Sequence, residues 1–191
     1  MNTTKADQVE VRGDVSLRVL DKDGLMVSDP FSAFADPAFA KSLVTLNKDG
    51  SLDLSRNMVV NNGRQALAYL IGGKDPGTNN MVVTHVSWGT YDEAPRFTDT
   101  TLSPQPGVTA GGENEILYDG TNRRKLVSSV DWPVPFVVRF ECLLGTDECN
   151  GYTLREMGLW TLSGGLFARK ALVPIVKTSD LALSFIWNIR C

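Results

Sequence analysis

The chain has 191 residues, of which 42% are hydrophobic and 21% are charged, as in ordinary folded globular proteins. Nineteen Lys and Arg residues stand against 22 Asp and Glu residues, and this net charge of −3 argues against nucleic acid and anionic membranes as partners. The longest apolar runs are far shorter than the roughly 20 residues of a membrane helix. The opening residues, MNTTKADQVEVRGD, lack the apolar segment of a signal peptide, so we expect a protein that folds in the cytoplasm.

Two similar segments near the amino terminus predict β-hairpins. Residues 15–27 (VSLRVLDKDGLMV) and 41–54 (KSLVTLNKDGSLDL) each carry a β-prone run, a Lys-Asp-Gly sequence and a second short run. Glycine adopts the positive φ that a tight turn requires, so Gly24 and Gly50 are expected in the turns. A calcium loop would also need a bidentate glutamate after each glycine, at a position where neither segment has one.

The segment between these hairpins, residues 29–41 (DPFSAFADPAFAK), is predicted to be an irregular arm. Pro30 and Pro37 interrupt regular structure. Three aromatic side chains offer anchors: Phe31, Phe34 and Phe39. We expect the arm to dock onto a neighbouring surface.

Residues 62–71 (NGRQALAYLI) form the best helix candidate. Asn61 or Asn62 is expected to cap the free amides, and Gly72 with Gly73 is expected to end the helix in left-handed geometry. Its apolar residues fall on one face and are Ala66, Leu67, Leu70 and Ile71. A helix this short needs a sheet to pack against.

From residue 81 onward the signals are almost all those of strands. Residues 81–90 (MVVTHVSWGT) predict a strand that ends at Gly89, before a loop rich in Pro, Gly and Thr. Residues 125–144 (KLVSSVDWPVPFVVRFECLL) predict two strands separated by a bend, or an edge strand with a bulge, because Pro133 and Pro135 each remove a ladder donor. Three further strand segments follow: 154–162 (LREMGLWTL), 166–176 (LFARKALVPIV) and 180–190 (DLALSFIWNIR).

The last of these segments alternates most regularly. One face carries Leu181, Leu183, Phe185, Trp187 and Ile189. This period of two predicts a half-buried strand of an antiparallel sheet. With about seven or eight strands and one short helix, we predict a mainly-β fold, an antiparallel β-sandwich. Residues 57–191 are expected to form its core domain, and residues 1–56 an amino-terminal extension of arm and hairpins that serves docking.

The ionisable residues offer little chemistry. His85 is the single histidine and is expected to be packed or at the surface. Glu156 lies on the same predicted face as Leu154 and Trp160, and if that face is buried, Arg169 or Arg190 is the available cation. Two acids in the glycine-rich loop, Glu113 and Glu115, resemble a glycosidase pair but are expected to be solvated.

Other motifs are equally weak. The glycine doublets at 111–112 and 164–165 match neither a dinucleotide fingerprint nor a phosphate loop. The tryptophans Trp88, Trp132, Trp160 and Trp187 are expected in the core or at interfaces, with a sugar platform as the alternative. Three cysteines, Cys142, Cys149 and Cys191, are expected to be structural thiols without zinc spacing, although the last two are candidates for crosslinks between subunits. We therefore predict no catalytic, cofactor-binding or metal-binding residues, no cofactor and no enzymatic activity.

The order of the carboxy-terminal motifs resembles that of bacteriophage tail structural proteins. The segments are NMVVNNGRQALAYLIGG, MVVTHVSWGT, FTDTTL, GYTLREMGLWTLSGGLFARKAL and VPIVKTSDLALSFIWNIRC, which span residues 57–191. They are similar to the cores of collar, tail-fibre and baseplate-associated proteins. The individual motifs EMGL (156–159), LFAR (166–169) and KTSD (177–180) are short, and their order carries the resemblance.

This resemblance implies a virion component without enzymatic activity, assembled in the host cytoplasm and incorporated into the particle. It implies an adaptor in the tail baseplate, fibre-attachment or neck/collar region, with other copies of itself and other virion proteins as partners. Two alternatives stay open at this point. One is a capsid decoration protein, and the other is a carbohydrate-binding module that recognises a host surface glycan through exposed tryptophans. A hydrolase that uses Glu113, Glu115 or Glu156 is the least favoured.

Overall fold

The computed structural model describes residues 11–72, 81–91, 93–103 and 115–190. Ten strands and two α-helices make up this part of the chain. The strands are β1 (Arg12–Asp21), β2 (Thr45–Leu46), β3 (Leu52–Val59), β4 (Val83–Gly89), β5 (Lys125–Leu126), β6 (Ser129–Val134), β7 (Val137–Leu144), β8 (Thr153–Thr161), β9 (Leu166–Val176) and β10 (Leu181–Arg190). The helices are α1 (Pro37–Leu43) and α2 (Asn61–Ile71), and a 3-10 helix spans Pro30–Ala33.

All the strands belong to one antiparallel sheet. Its order is β5-β4-β8-β9-β3-β1-β10-β7-β6, with β2 paired to β3 off this path. The sheet curls, and its inner side chains from distant strands meet in one core. The rings of Trp88 on β4 and Phe185 on β10, for example, lie 5.9 Å apart. The predicted mainly-β antiparallel fold is confirmed, whereas its division into the two layers of a sandwich stays a prediction.

A short run of chain joins the two ends of this sheet. The Val127 N–H donates to the Thr84 carbonyl, at 2.9 Å, next to the pairing of β5 with β4. The adjacent Ser128 N–H donates to the Glu141 carbonyl on β7, at 2.6 Å. Residues 125–134 therefore link β4, near one end of the strand order, to β7, near the other end. Beyond this junction, β4 and β6 diverge.

Strand β1 is a central strand, although it falls in the predicted extension. It pairs with β10 along its whole length, from Arg12 with Arg190 to Asp21 with Leu181, and its other edge pairs with β3. Its inward side chains are fully buried and are Val15, Leu17 and Val19. Residues 12–21 are therefore part of the same sheet as the predicted core domain, and the boundary at residue 56 does not separate them from it.

The predicted arm is folded onto the chain's own core. The prolines begin helical turns instead of breaking them, because proline's fixed φ suits the first helical position, where the missing N–H is not needed. Asp29 caps the 3-10 helix, and Asp36 caps α1 by accepting a hydrogen bond from the Phe39 N–H at 2.9 Å. Phe31 and Phe34 are buried, whereas Phe39 is 53% exposed.

Helix α2 is confirmed and ends at Ile71 before Gly72, as predicted, but the predicted asparagine cap and the predicted left-handed geometry at Gly72 are wrong. Val60 is the N-cap residue and makes no side-chain capping bond, since Asn61 already lies in the first turn. Gly72 has φ −79°, outside the left-handed region. The helix packs closely on β9, because a Cβ at Gly63 would lie 2.1 Å from the Phe167 carbonyl oxygen.

The predicted turns and strands are largely confirmed. Gly24 and Gly50 both have φ 78° in the two Lys-Asp-Gly turns. Strand β4 ends at Gly89, and a turn at Pro135 separates β6 from β7, whereas Pro133 lies within β6, where the register with β7 shifts between Asp131 and Val134. The odd-numbered side chains of β10 from Leu183 to Ile189 are buried as predicted, but Ala182, Ser184 and Ile186 on the other face are buried too.

The position of β1 predicts opposite outcomes for two truncations. Deleting residues 1–10 keeps β1 intact and should leave a cooperatively folded protein. Deleting residues 1–37 removes three fully buried apolar side chains, each worth about 1.5–3 kcal/mol, and the pairing partner of two strands. This loss is comparable with the roughly 5–15 kcal/mol that stabilises a typical domain, so the longer truncation should not fold. Thermal unfolding followed by circular dichroism distinguishes the two, and a cooperative transition in the longer truncation would contradict the central role of β1.

Candidate functional site

A buried ion pair between Glu156 and Arg169 fastens a long loop to the outside of the sheet. Glu156 is fully buried, and its carboxylate accepts a hydrogen bond from Arg169 Nε at 2.8 Å. The Ser103 N–H donates to the same carboxylate, at 2.8 Å to Oε1. Arg169 also donates to Asp99 Oδ2 at 2.5 Å, to the Ser103 hydroxyl and to the Glu93 carbonyl at 2.8 Å. We call Glu156, Arg169, Asp99 and Ser103 the Arg169 cluster.

The electrostatics of the Arg169 cluster are those of a structural pair. Burial raises the pKa of Glu156, and the guanidinium of Arg169 together with the Ser103 donors opposes this rise. All three nitrogens of the guanidinium are bonded within the protein, so none is left for a substrate. The predicted pairing of Glu156 with an arginine is confirmed, and of the two candidates the partner is Arg169, whereas Arg190 pairs with Asp14.

Glu156 and Leu154 lie on opposite faces of the sheet, although alternation predicted that they share one face. A β-bulge shifts the register between Leu154 and Glu156, so Leu154 packs in the main core. Glu156 instead shares the outer face with Gly158 and Trp160. The loop covers that face: Leu102 is fully buried there, and a Cβ at Gly158 would lie 2.8 Å from Leu102 Cδ2.

The two other candidate acids are Glu113 and Glu115, of which the structure describes Glu115. Glu113 lies outside the described residues. Glu115 is 4% exposed, not solvated as predicted, and its carboxylate accepts two hydrogen bonds from Arg124, each at 2.9 Å. The Arg124 guanidinium stacks over the Trp160 ring, 3.5 Å from its centroid. Glu115 therefore positions an arginine at the surface of the sheet.

His85 is half-buried, and its Nδ1 lies 2.7 Å from the Thr84 hydroxyl. Burial lowers its pKa, and the charge of Arg124 lowers it further. A neutral imidazole beside a threonine hydroxyl is a packed side chain, as predicted.

A buried lysine was missed by the sequence analysis. Lys177 is fully buried, and its ammonium donates to the Thr178 carbonyl at 2.8 Å and to Asn150 Oδ1 at 3.1 Å. Burial lowers its pKa. Lysine is rarely fully buried, so the KTSD sequence alone gave no indication that Lys177 is buried. In the structure, its hydrogen bonds fix the loop between β7 and β8.

Three of the four tryptophans are interior, which removes the predicted alternative of a platform of exposed indoles. Trp88, Trp160 and Trp187 are each at most 1% exposed. Trp160 Nε1 donates to the Ser87 hydroxyl at 2.8 Å. Trp132 alone among the four is exposed, at 67%.

Trp132 belongs to a ridge of exposed apolar side chains on β6 and the turn after it. All six residues of β6 are exposed. The exposed apolar residues there are Val130, Trp132, Val134 and Phe136, and Phe136 is 72% exposed. A register shift between Asp131 and Val134 places Val134 on the side of Arg139, opposite to Val130. We call these four residues the β6 apolar surface. Val130 and Trp132 lie in the wall of the same apolar groove. Exposed apolar side chains that lie together are typical of a contact surface, because soluble proteins rarely expose large contiguous apolar patches.

An apolar groove of about 400 Å³ lies beside this surface. It opens where β4 and β6 diverge, and α2 borders it. Its walls are Leu67, Leu70, Met81, Val82, Val83, Val130, Trp132, Val138, Phe140, Phe167 and Ile189. Pro133 has no backbone N–H, so docking here is expected to use side chains in the groove instead of a full added strand.

Within the described ranges, no group of three or more His, Cys, Asp or Glu residues is placed to hold a metal ion. No helix of the described chain has the length and hydrophobicity needed to cross a bilayer. Comparison with protein-family models, with curated proteins and with solved structures finds no match.

The buried ion pair predicts a large cost when one partner is removed. Arg169→Met leaves Glu156 as an unpaired buried carboxylate and should lower the free energy of unfolding by about 3–5 kcal/mol. Adding Glu156→Gln should restore part of this loss. The matched control is Arg190→Met, whose pair with Asp14 is exposed and worth about 0–1 kcal/mol. Urea unfolding measures all four proteins, and an Arg169→Met loss as small as that of the control would contradict the burial of an intact pair.

The described cysteines are predicted to be inert in the native state. Cys142 and Cys149 are buried at 1% and 3% exposure, and burial raises the pKa of each thiol to about 12. Since the thiolate is the nucleophile, both should react with a maleimide only after unfolding. Cys191 lies outside the described residues, and Cys191→Ser removes its contribution. Peptide mapping by mass spectrometry locates the label, and rapid native labelling of Cys149 would revive it as a crosslinking candidate.

Proposed function

We propose that this chain is a structural component of a bacteriophage virion, an adaptor in the tail baseplate, fibre-attachment or neck/collar region. The observation that carries the proposal is the β6 apolar surface, which is exposed beside an apolar groove. The order of the motifs in residues 57–191, similar to that of phage tail proteins, supports the assignment to a virion.

The β6 apolar surface has the composition of an interface centre. Tryptophan and other aromatic side chains dominate the energetics of protein contacts when they fill pockets on a partner. Trp132 and Phe136 are the most exposed large apolar residues of the chain's described part, at 67% and 72%. Covering them with another virion subunit would remove this apolar area from water, at about 25 cal/mol per Å².

The candidate acids also favour a structural role. Glu156 is bonded to Arg169 and Ser103, and Glu115 is bonded to Arg124. Each carboxylate therefore holds a loop in place, and the loops and turns at the sheet's exterior are free to meet neighbouring subunits.

Quantitative mass spectrometry of purified particles tests the proposal. The chain should be present in fixed copy number, and Trp132→Ser with Phe136→Ser should reduce its incorporation at least tenfold, because ~1.4 kcal/mol of lost contact energy already weakens binding tenfold. The matched control is Leu162→Ser, which replaces another exposed apolar residue, 50% exposed, in the turn between β8 and β9.

Absence of the chain from particles would overturn the proposal. Normal incorporation of the double variant would retain a virion role but reject the β6 apolar surface as the contact. Imaging of labelled particles separates a tail, neck or baseplate position from the capsid decoration alternative, for which label on the head is expected.

A further inference from the structure

A polar groove on the outer face of the sheet has the composition of a binding site. It encloses about 460 Å³ and lies over β1, β10 and β7, on the side away from the core. The turn between β2 and β3 forms one wall, and β7 forms the other. The side chains that matter are Ser16, Arg18, Lys48, Asp49, Arg139 and Asn188. We call this feature the outer groove.

Three cations face the outer groove and keep donors available. Arg18 contacts Asp49 through one terminal nitrogen only, at 3.4 Å, and both side chains are largely exposed. Arg139 donates through Nε to Asn188 Oδ1 at 3.2 Å, and its terminal nitrogen lies 3.8 Å from Asp131. No described residue bonds to the Lys48 ammonium.

Acceptors and neutral donors lie among these cations. Ser51 donates to Asp49 from its hydroxyl at 2.6 Å and from its N–H at 3.1 Å, which lowers the pKa of Asp49 and keeps it ionised. The bond from Arg139 to Asn188 Oδ1 leaves the Asn188 amide N–H groups free to donate. Ser16 adds a hydroxyl, and the buried Ile186 forms an apolar part of the floor.

This combination of cations, acceptors and neutral donors distinguishes two classes of anionic ligand, acidic peptides and sugar acids. An acidic peptide brings several carboxylates, which suit the three cations, but each additional carboxylate is repelled by Asp49. A sugar acid offers one carboxylate and several hydroxyls, and hydroxyls donate to carboxylates and accept from amides. The volume is also within the usual range of small-ligand sites, roughly 300–1,000 Å³.

We propose that the outer groove binds an acidic sugar, a uronic acid unit of a glycan. Its carboxylate is held by Arg18 and Arg139 with Lys48 nearby, and its hydroxyls bond to Asp49 and Asn188. Arg139, in the outer groove, lies on the opposite face of the β6–β7 hairpin from Val130 and Trp132, so this inference does not depend on the proposed virion role.

Titration of the isotope-labelled full chain with D-glucuronate, followed by amide NMR shifts, tests the inference. We expect a dissociation constant on the order of 1 mM, with shifts at Ser16 and Asn188. Glucose, which lacks the carboxylate, should bind at least tenfold more weakly. Raising the salt concentration should weaken the binding of glucuronate but not that of glucose.

Variants locate the site. Arg18→Met and Arg139→Met should each weaken glucuronate binding roughly tenfold, because each removes a charge-assisted hydrogen bond. The matched control, Arg96→Met, replaces an exposed arginine in the loop after β4 and should leave binding unchanged. The replaced side chains lie at the surface, so unchanged thermal unfolding is expected for all three variants.

Several outcomes would overturn the proposal. They are equal binding of glucose and glucuronate, no shifts up to about 20 mM ligand, a site that survives both arginine substitutions, or tighter binding of a hexaglutamate peptide than of glucuronate. The last result would assign the outer groove to an acidic segment of a protein partner.

Discussion

Closure of the curled sheet depends on one short run of chain. Val127 and Ser128 are adjacent, yet their N–H groups donate to opposite ends of the sheet, at the Thr84 and Glu141 carbonyls. A single strand cannot pair with both β4 and β7 along its whole length. After this junction β6 therefore stays with β7 and separates from β4. The apolar groove opens in that gap, and β6 is left with one paired edge and six exposed residues. The candidate docking surface is thus a consequence of how the sheet closes.

The outside of the sheet is organised by buried charges. Arg169 holds the loop after β4, Arg124 and Glu115 hold the chain before β5, and Lys177 holds the loop before β8. Each charge is satisfied by hydrogen bonds, as burial in a poorly solvating interior requires. Breaking one pair is costly, whereas the net stabilisation that each pair provides is small, because desolvation offsets most of the attraction. These clusters therefore fix loop positions more than they stabilise the fold.

Local signals predicted the local elements well. Alternation placed β10 correctly, glycine in the Lys-Asp-Gly sequences placed two turns, and the burial requirement of Glu156 predicted an arginine partner, with Arg169 as one of two candidates. These patterns work because side-chain period, turn geometry and charge compensation act over a few residues or on one face.

Predictions that depended on distant pairing or on small irregularities were wrong. Nothing within residues 12–21 shows that they pair with residues 181–190 at the far end of the chain, so a central strand was assigned to an extension. Asp36 before Pro37 is a helix start, but the proline alone suggested a break. Between Leu154 and Glu156, one residue of β8 stands opposite three of β9, and Leu154 and Glu156 lie on opposite faces; such a shift leaves no regular mark in sequence.

The β6–β7 hairpin brings the two candidate surfaces into one element. Strand alternation sends Val130 and Phe140 to the inner, apolar side, and it sends Asp131 and Arg139, which face each other in the same register, to the outer side. A subunit docked on Val130 and Trp132 would cover the inner side of the hairpin, whereas Asp131 and Arg139 lie on the outer side. It would also restrain β6, and with it the Asp131 carboxylate that lies 3.8 Å from Arg139. Because that carboxylate competes with a ligand carboxylate for Arg139, docking and ligand binding at the two proposed surfaces would be coupled through one ion pair, and such a coupling would act equally in both directions.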